Sequence, residues 1–288
     1  MAAAAVEQGF QLRRYGALAY LRAPLLEGCR GVVHAFSTRL GGCSTGTLTS
    51  LNTAFHTGDR CDRVLENRRR FLERCSFHPD DVVAAVQVHG AGIRRVEAAD
   101  RGRGARPDSF LGEGDALVTA IPGLPLTGYA ADCLLLFIAA PDVPAVALVH
   151  AGWRGTLQQI APAVVRELHL HFGADPAVML AALSPGICGR CYTVDRDLGR
   201  DFAGAGWSGA PYQWAGAAGR IHLDLAAINR EQLRRAGIEA GHLAGCSWCT
   251  GCHPRLFYSY RREKGQTGRM MGLIALSGES VAEEADQR

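Results

Sequence analysis

Three residues that lie far apart in the sequence carry side chains that bind transition metals: His89, Cys133 and His150. Two imidazoles and a thiolate fill three positions of a tetrahedral zinc ion and leave the fourth for water or substrate. The sequence pattern places each residue at the end of a predicted strand, where a rigid sheet holds side chains at fixed separations. The spacing alone also allows a simpler interpretation, in which two hydrogen-bonded histidines and a small buried thiol share no metal.

A second group of cysteines follows later, at Cys246, Cys249 and Cys252, with His253 directly after them. This spacing resembles one half of a zinc site, but a closed structural site needs a second pair of ligands, commonly about a dozen residues away. The sequence after His253 contains no cysteine or histidine. We therefore predict that these three thiols are packed or lie in loops.

Two glycine-containing motifs also match functional patterns only in part. Residues 42–46 fit the nucleophile pattern G-x-S-x-G, but no helical pattern follows them, so a polar loop is predicted. Residues 102–104 lack the third glycine of a dinucleotide fingerprint and are predicted to form a loop beside the strand ends.

The elements that must position these residues follow from the periodicity of apolar side chains. Alternating or continuous apolar runs predict strands at residues 82–89, 116–119, 133–139, 146–150, 178–183 and 270–275. Helical spacing predicts helices at residues 62–75, 157–171 and 223–236, the last capped by Asp224. The glycine-rich residues 199–219 are predicted to form a long loop. Because strands and helices do not alternate strictly, the pattern favours an α+β fold over a doubly wound parallel sheet.

The composition is that of an ordinary globular protein. The 288 residues are 48% hydrophobic and 20% charged, which is enough for a substantial core and excludes wholesale disorder. The formal net charge of +3 does not by itself indicate nucleic-acid binding. We expect the arginines clustered at residues 68–70, 94–95 and 101–106 to lie on a solvated face, with a rim that attracts an anionic ligand as the alternative.

The ten cysteines do not indicate a secreted disulfide scaffold, because the chain is large and its first residues lack a basic segment followed by an apolar one. The longest apolar runs, such as residues 133–140, are too short to cross a bilayer. We therefore expect a cytoplasmic protein with reduced thiols, no membrane partner and no nucleic-acid partner. The oligomeric state stays open.

Several motifs together resemble one known family. They include Gln-Val-His-Gly at residues 87–90, Ala-Asp-Cys at residues 131–133 and Val-His-Ala-Gly-Trp-Arg-Gly at residues 149–155. The sequence is similar to the laccase-domain family, also named multicopper polyphenol oxidases and now regarded as purine nucleoside enzymes. The resemblance runs from about residue 36 to residue 276. Residues 184–192 depart from the family's usual pattern, so the shape of that loop is open.

This resemblance implies a fold and a division of the chain. The family's fold is a four-layer α/β/β/α sandwich with mixed sheets, similar to the toxin-type cysteine hydrolase fold. Residues 31–278 would form a single catalytic domain. An N-terminal extension and first strand region, residues 1–30, would precede it, and a tail, residues 279–288, would follow.

The resemblance also implies an activity. The family's metal ligands fall on His89, Cys133 and His150, with zinc as the expected ion and copper as the alternative. Members phosphorolyse adenosine, inosine, guanosine or methylthioadenosine, so a purine nucleoside and phosphate are the expected partners, and they also deaminate adenosine.

Further residues of the expected site follow from their position in these motifs. Asp132, beside Cys133, is the expected acid and base, or else the group that orients the ligand. Arg39 and Arg154 are expected to bind phosphate through their planar guanidinium groups, and Asn52 is expected to bind substrate. Both arginines have an alternative role, which is to buttress loops through backbone carbonyls.

Three other functions remain open at this point. A copper oxidase acting on phenols would need many histidines, yet the only His-x-His pair is His169 and His171, on a predicted surface helix. A cysteine hydrolase that edits peptidoglycan precursors would use Cys133 as nucleophile and His150 as base. A non-catalytic partner-binding protein would retain zinc for stability alone.

Overall fold

Three β-sheets and the helices that cover them make up the computed structural model, which describes residues 9–278. In chain order the strands are β1 (Gln11–Tyr15), β2 (Leu18–Arg22), β3 (Val32–Ser37), β4 (Ile93–Arg95), β5 (Ala116–Thr119), β6 (Leu126–Ala130), β7 (Leu134–Ala140), β8 (Ala145–Ala151), β9 (Leu180–Leu183), β10 (Thr193–Val194), β11 (Gln213–Ala215), β12 (Ile221–Leu223), β13 (Leu243–Ala244) and β14 (Met270–Leu276). The α-helices are α1 (Pro24–Glu27), α2 (Cys61–Arg74), α3 (Trp153–Leu157), α4 (Ile160–Phe172), α5 (Arg196–Gly204) and α6 (Leu225–Arg235).

The two large sheets differ in strand direction. The five-stranded sheet has the order β1-β2-β3-β14-β6 and is antiparallel throughout. The six-stranded sheet has the order β13-β9-β7-β8-β5-β4, and its two edge strands, β13 and β4, run parallel to their neighbours. A small antiparallel sheet, β10-β12-β11, lies outside both. The fold is therefore a mixture of helices with several antiparallel and mixed sheets.

The buried apolar residues form three cores. One lies between the two large sheets, where Phe36 and Ile274 of the first sheet meet Phe137 and Leu148 of the second. Another joins the six-stranded sheet to α4, α5 and α6, and a third joins the five-stranded sheet to α2. Because both faces of the central strands are covered, β7, β8 and β14 are buried along their whole length and read as continuous apolar runs.

A glycine inside β14 allows the two large sheets to approach each other closely. A Cβ atom on Gly272 would lie 2.5 Å from Leu135 Cδ1 and 2.9 Å from Phe137 Cζ, both in the facing sheet. Glycine inside a strand is commonly found where another part of the chain comes this near. The side chains of β7 therefore fill the space that a larger residue at position 272 would occupy.

Most predicted elements are present within a few residues of their expected bounds. Strands β5, β7, β8, β9 and β14 and helices α2 and α6 are confirmed, and Asp224 caps α6 by accepting a hydrogen bond from the Ala227 amide. The helix predicted at residues 157–171 is present as α4 but begins only at Ile160, because Gln159 adopts a left-handed conformation with φ of 59° and separates α4 from the short helix α3. The polar loop predicted at residues 42–46 is also confirmed, since only a 3-10 turn follows it.

Two predicted elements were wrong. Residues 82–89 do not form a strand; they are an extended segment that pairs only through isolated bridges, Val83 with Leu126 and Val86 with Glu113. Residues 199–219 are not one long loop, because α5 and β11 occupy much of this stretch. Phe202 of α5 is fully buried in the core beside the six-stranded sheet, and this tertiary burial outweighs the high glycine content.

The arginine cluster at residues 68–70 is only partly on the surface. Arg69 is exposed and Arg70 is half-buried, and both form ion pairs with Glu66, as expected at the edge of a solvated face. Arg68 is instead almost completely buried and donates hydrogen bonds to the carbonyls of Thr53 and Gly104, each at 2.7 Å. Its guanidinium also stacks 3.9 Å from the Phe55 ring, so the expectation of a solvated side chain was wrong for Arg68.

The chain ahead of residue 31 contributes two strands to the five-stranded sheet, because β1 pairs with β2 and β2 with β3. The predicted tail at residues 279–288 lies outside the described residues, as do residues 1–8 of the predicted N-terminal extension. Among residues 9–278, none of the helices is long and apolar enough to span a bilayer.

Candidate metal centre

The structure brings His89, Cys133 and His150 together. One ligand atom from each residue lies within 4.8 Å of the other two. The two imidazole rings meet edge to face, with centroids 4.9 Å apart and an interplanar angle of 78°. This donor set of two nitrogens and one sulfur fits zinc, and it also fits copper.

Each ligand is placed by a different local structure. His150 lies in β8 and pairs across the sheet with Leu135 of β7. Cys133 precedes β7 directly and follows Asp132, whose φ of 91° turns the chain sharply there. His89 also has a positive φ, 61°, in the turn after the extended segment. Non-glycine residues rarely adopt this conformation, and such residues concentrate at functional sites.

One buried carboxylate, that of Asp115, organises both histidine ligands. Its Oδ1 atom lies 2.8 Å from His150 Nδ1 and accepts a hydrogen bond from the His89 amide at 3.0 Å. Its Oδ2 atom accepts from the amides of Gly90, at 2.7 Å, and Val88, at 3.3 Å. Since Nδ1 of His150 is engaged by Asp115, Nε2 is the nitrogen left to face the centre.

The glycines of the heptapeptide are required by close contacts at this site. A Cβ atom on Gly152 would lie 3.1 Å from Cys133 Sγ and 3.3 Å from His89 Cδ2. A Cβ atom on Gly155 would lie 2.8 Å from the carbonyl oxygen of Gly90. The turn from β8 into α3 therefore packs its bare backbone against the ligands.

The electrostatics of the centre favour a thiolate beside a charged imidazole. Burial opposes ionisation of Cys133, but the positive charge of His150 and hydrogen bonds from both histidines outweigh it and lower the pKa of the thiol. Burial likewise opposes protonation of His150, yet the Cys133 thiolate and Asp115 raise its pKa. A cation bound here would replace the proton of His150 as the partner of the thiolate.

Asp132 is held in place on both sides of its carboxylate. Oδ1 accepts a hydrogen bond from the Thr250 hydroxyl at 2.6 Å, and Oδ2 accepts from the Arg261 amide at 2.7 Å. Its backbone carbonyl accepts from the Ile187 amide at 2.9 Å. The residue beside Cys133 therefore connects three segments of the chain, and its carboxylate is fixed in orientation.

The two arginines expected to bind phosphate differ in their surroundings. Arg154 is exposed in the first turn of α3, and its guanidinium lies 4.4 Å from the Trp153 ring. Arg39 is engaged within its own loop, because it donates to the Thr49 carbonyl at 2.9 Å and to Glu263 at 2.8 Å. These Arg39 contacts are those of a residue that buttresses a loop.

Asn52 is fully buried and makes hydrogen bonds through both ends of its amide. Its nitrogen donates to Thr57 at 2.8 Å and to Asp59 at 3.0 Å, and its oxygen accepts from the Arg269 amide at 3.0 Å. These bonds hold the loop around Asn52 against the segment that enters β14. Its expected contact with substrate stays a prediction.

Four residues near the centre were not selected as site residues from the sequence: Asp115, Tyr192, Arg261 and Arg269. Burial, followed by the negative charge of Cys133, raises the pKa of Tyr192 to about 12, whereas Arg261 and Arg154 act in the opposite direction. Burial lowers the pKa of Arg269, and Cys133 counteracts this effect. The available signal was that residues 115–119, 191–192, 258–262 and 268–270, which contain these four, also resemble the family.

A second group of potential ligands lies in the loops that contact Asp132. Cys249 and Cys252 cluster with Cys188 and Cys191, and all four sulfur atoms lie within 4.8 Å of one another. The second pair of potential ligands that a closed site needs is therefore present, whereas the prediction that residues 246, 249 and 252 are packed or loop thiols stays a prediction. Cys188 and Cys191 lie upstream, 61 residues before Cys249 and Cys252 respectively.

A cavity with a volume of about 470 Å³ lies next to these loops. It lies on the side of these loops that faces α6, with Leu134, Cys188, Asp224 and Trp248 in its wall. None of the three ligands of the first centre lines it.

Comparison with known proteins shows which family the chain resembles. A family model described as multi-copper polyphenol oxidoreductase laccase matches residues 33–277. The chain is 40% identical over 265 residues to a protein of Deinococcus radiodurans named purine nucleoside phosphorylase, covering 90% of this chain and 93% of that one. It is 32% identical to adenosine deaminase RL5 of an unknown prokaryotic organism, covering 82% and 91% of the two chains. The crystal structure of YlmD from Geobacillus stearothermophilus superposes with a TM-score of 0.86 at 34% identity, covering 93% and 99%.

Proposed function

The chain belongs to the multi-copper polyphenol oxidoreductase laccase family, and we propose that it is a purine nucleoside phosphorylase with adenosine deaminase activity. The observation that carries this proposal is the convergence of His89, Cys133 and His150, with ligand atoms within 4.8 Å of one another, in a chain whose relatives bear these two names. The expected substrates are phosphate and a purine nucleoside such as adenosine, inosine, guanosine or methylthioadenosine.

We assign one zinc ion to these three residues. The thiolate and the two imidazoles match the ligands that zinc takes in proteins, and three protein ligands leave one position open, as catalytic zinc requires. When bound, zinc supplies a Lewis acid and lowers the pKa of a coordinated water to around 7. Asp115 holds the His150 ring and the His89 backbone in the orientation that binding needs.

Phosphorolysis requires the chain to position an anion beside the sugar. An oxygen of phosphate bonds to C1′ of the ribose while the bond from C1′ to the purine nitrogen breaks, and a proton must reach the departing base. Arg154 is the proposed phosphate ligand, because it is exposed at the start of α3, just after the Gly152 turn that contacts Cys133 and His89. Arg261 is exposed on the neighbouring segment, 4.9 Å from the Tyr192 ring, and adds positive charge there.

Asp132 is the proposed acid and base. Its carboxylate lies next to Cys133 in the chain and is fixed by the Thr250 hydroxyl and the Arg261 amide. A carboxylate held by two donors keeps its position when substrate binds, which is what proton transfer at a defined atom needs. The alternative is that Asp132 transfers no proton and only holds the loops together through these bonds. Mutation of Asp132 must distinguish the two roles.

The copper oxidase alternative is weakened by the ligands that are present. The part of the chain that the structure describes contains two groups of three or more potential metal ligands, and only the first includes histidine. His169 is instead engaged with the Ala174 carbonyl, with its Nδ1 at 2.8 Å. Reduction of oxygen to water needs several coppers held by many histidines, and these groups do not provide them.

One observation favours a second function, that of a cysteine hydrolase. Cys133, His150 and Asp115 form a chain of contacts in which an imidazole lies between a thiol and a carboxylate, as in cysteine hydrolases. In that case Cys133 would attack the substrate carbonyl and no metal would be needed. Removal of metal with a chelator would then leave activity intact or increase it, whereas a zinc enzyme would lose it.

The proposed function is tested by incubating the purified protein with adenosine, with and without phosphate, and separating the products by chromatography. Adenine formed only with phosphate supports the phosphorylase, and inosine supports the deaminase. If neither product forms after zinc has been added, the proposed function is wrong.

Two further expectations belong with this proposal. The three cores, ordered from α2 through both sheets to α4 and α6, support the four-layer α/β/β/α sandwich similar to toxin-type cysteine hydrolases.

The second expectation is a cytoplasmic location. It is supported by the ten cysteines, which are free thiols, and by the proposed nucleoside substrates, and fractionation of cells would test it.

A further inference from the structure

The four cysteines Cys188, Cys191, Cys249 and Cys252 form a cluster that the proposed catalysis does not use. They come as two C-x2-C pairs, one in each of the loops 184–193 and 245–253. All four sulfur atoms lie within 4.8 Å of one another, and Sγ of Cys191 lies 3.4 Å from Sγ of Cys252. We propose that this cluster is a second metal site, in which four thiolates hold one zinc ion without an open position.

The spacing of the sulfur atoms favours a single ion. Zinc–sulfur bonds of about 2.3 Å in a tetrahedron place neighbouring sulfurs about 3.8 Å apart. The observed upper limit of 4.8 Å and the 3.4 Å distance between Cys191 and Cys252 lie on either side of this value, so four thiolates can close around zinc with small movements. An iron–sulfur cluster would need room for its own sulfide ions between the thiolates, and two disulfides would split the group into separate pairs.

The backbone around the cluster is arranged as in known thiolate sites. The amides of Cys191 and Tyr192 both donate to the Cys188 carbonyl at 2.9 Å, so the first pair lies in a tight turn. The Cys188 amide donates to Sγ of Cys249 at 3.2 Å, which stabilises negative charge on that sulfur. A Cβ atom on Gly251 would lie 3.2 Å from Cβ and 3.3 Å from Sγ of Cys191, so the second pair needs glycine between its cysteines.

Positive charge lies next to the second loop. The Arg262 guanidinium donates to the carbonyls of Thr250 at 2.6 Å and Gly251 at 3.1 Å, between the two cysteines of that pair. Four thiolates around a divalent ion carry a net negative charge, which a neighbouring guanidinium offsets. Cys252 is exposed, so a metal ion has a route to the cluster from solvent.

The metal would connect the two loops that hold Asp132. The first loop supplies the Ile187 amide, which donates to the Asp132 carbonyl, and the second supplies the Thr250 hydroxyl, which donates to its carboxylate. The two loops also contact each other through the bridge between Gly186 and Cys249 and through the bond from the Cys188 amide to Cys249 Sγ. Zinc would therefore hold them at a fixed separation beside the first centre.

The chain contains a matched control for this proposal. Cys246 continues the same cysteine spacing three residues before Cys249, but it is not a member of the cluster. Burial raises its pKa to about 12, so it stays a protonated thiol. Its replacement by serine should leave metal content unchanged.

The test measures zinc per chain by plasma mass spectrometry in His89→Ala/His150→Ala protein, in which the first centre is disabled. We expect one zinc per chain there, no zinc when Cys188→Ser and Cys252→Ser are added, and one zinc when Cys246→Ser is added instead. If the protein that also carries Cys188→Ser and Cys252→Ser does not fold, cobalt is instead substituted for zinc in the His89→Ala/His150→Ala protein, and its absorption spectrum tests the proposal. Cobalt bound by four thiolates gives intense sulfur-to-metal absorption, and its absence overturns the proposal.

Three results would contradict it. The first is less than about a tenth of a zinc per chain in the His89→Ala/His150→Ala protein after purification with added zinc. The second is iron in place of zinc. The third is an intact mass that shows disulfides between these cysteines. None of these measurements depends on catalysis, so failure of the proposed nucleoside activity would not affect the outcome.

Discussion

Asp115 contacts both histidine ligands of the first centre through one oxygen atom, which lies 2.8 Å from His150 Nδ1 and accepts the His89 amide at 3.0 Å. The side chain of Asp115 is fully buried. Burial opposes its ionisation, but the hydrogen bonds from His150 and from the amides outweigh that effect and lower the pKa of the carboxyl group. A single charged residue thus sets the ring orientation of one ligand and the backbone conformation of the other.

Replacement of Asp115 by Asn should weaken zinc binding by about 10-fold to 100-fold, the usual cost of removing a carboxylate that orients a histidine ligand. The amide keeps the shape but supplies only one acceptor oxygen, so either the His150 ring or the backbone amides lose a partner. Competition with a zinc chelator measures the affinity. The exposed Asp108→Asn variant is the control, and equal affinities of the two variants would show that Asp115 does not organise the site.

Replacement of Cys133 or His150 by Ala should abolish turnover while the fold is kept, because a catalytic metal contributes to the transition state more than to the core. We expect kcat/KM with adenosine and phosphate to fall by far more than about tenfold, which is ~1.4 kcal/mol of transition-state stabilisation. Circular dichroism checks the fold. A variant that retains more than about a tenth of the activity would mean that the metal is not central.

The sequence was sufficient to predict that His89, Cys133 and His150 come together, because each lies in a motif of the family resemblance, while their binding of zinc stays a prediction. Asp115 was overlooked since a carboxylate in a strand motif gives no local sign that it will face a histidine 35 residues later. The cysteine cluster could not be predicted from spacing, because Cys188 and Cys191 lie 61 residues before their partners Cys249 and Cys252. Contacts between distant loops depend on the fold.

The same limit explains the errors in secondary structure. The alternation at residues 82–89 is that of a strand, yet this segment finds only single bridging partners on either side, at Leu126 and Glu113. Strand formation depends on a neighbour with free backbone groups, which periodicity does not reveal. Helix α5 arises in a glycine-rich segment because Phe202 reaches the core. Strands β7 and β14 could be predicted from their long apolar runs alone, without knowledge of their neighbours in the fold.

Replacement of Gly152 by Ala should reduce zinc affinity by about tenfold or more, since the added methyl group would lie 3.1 Å from Cys133 Sγ and 3.3 Å from His89 Cδ2. The two ligands must separate to make room. Chelator competition and thermal unfolding measure the effects on metal and fold. Gly204→Ala is the control, because its Cβ atom would meet nothing within 4 Å. Unchanged zinc affinity in the Gly152 variant would show that the turn can move away from the ligands.

Replacement of Glu263 by Gln should lower the free energy of unfolding at neutral pH but have little effect in acid. Burial opposes ionisation of Glu263, yet hydrogen bonds from Thr267 and Ser259 and the ion pair with Arg39 lower its pKa below 4.5. The folded state therefore binds fewer protons than the unfolded state near that pH. The stabilisation is present above pH 4.5 and is lost as the pH falls through the lowered pKa.

Urea unfolding of the wild type and the Glu263→Gln variant, at neutral pH and at about pH 3, measures this difference. The exposed Glu239→Gln variant is the control and should follow the wild type at both values. A difference between wild type and Glu263→Gln that stays constant with pH would mean that the charge of Glu263 is not the cause.

Replacement of Arg154 separates phosphate binding from the other steps of the proposed reaction. Lysine keeps the charge but lacks the planar pair of donors, so Arg154→Lys should raise the KM for phosphate by about tenfold and change kcat little. Arg154→Ala should reduce phosphorolysis of adenosine much more than its deamination, because only phosphorolysis uses phosphate. Both activities are measured in one incubation from the amounts of adenine and inosine. Arg69→Ala, a surface arginine on α2, is the control. Equal loss of both activities would assign Arg154 to the structure of the loop, and adenine release without phosphate would make the enzyme a hydrolase with no phosphate site.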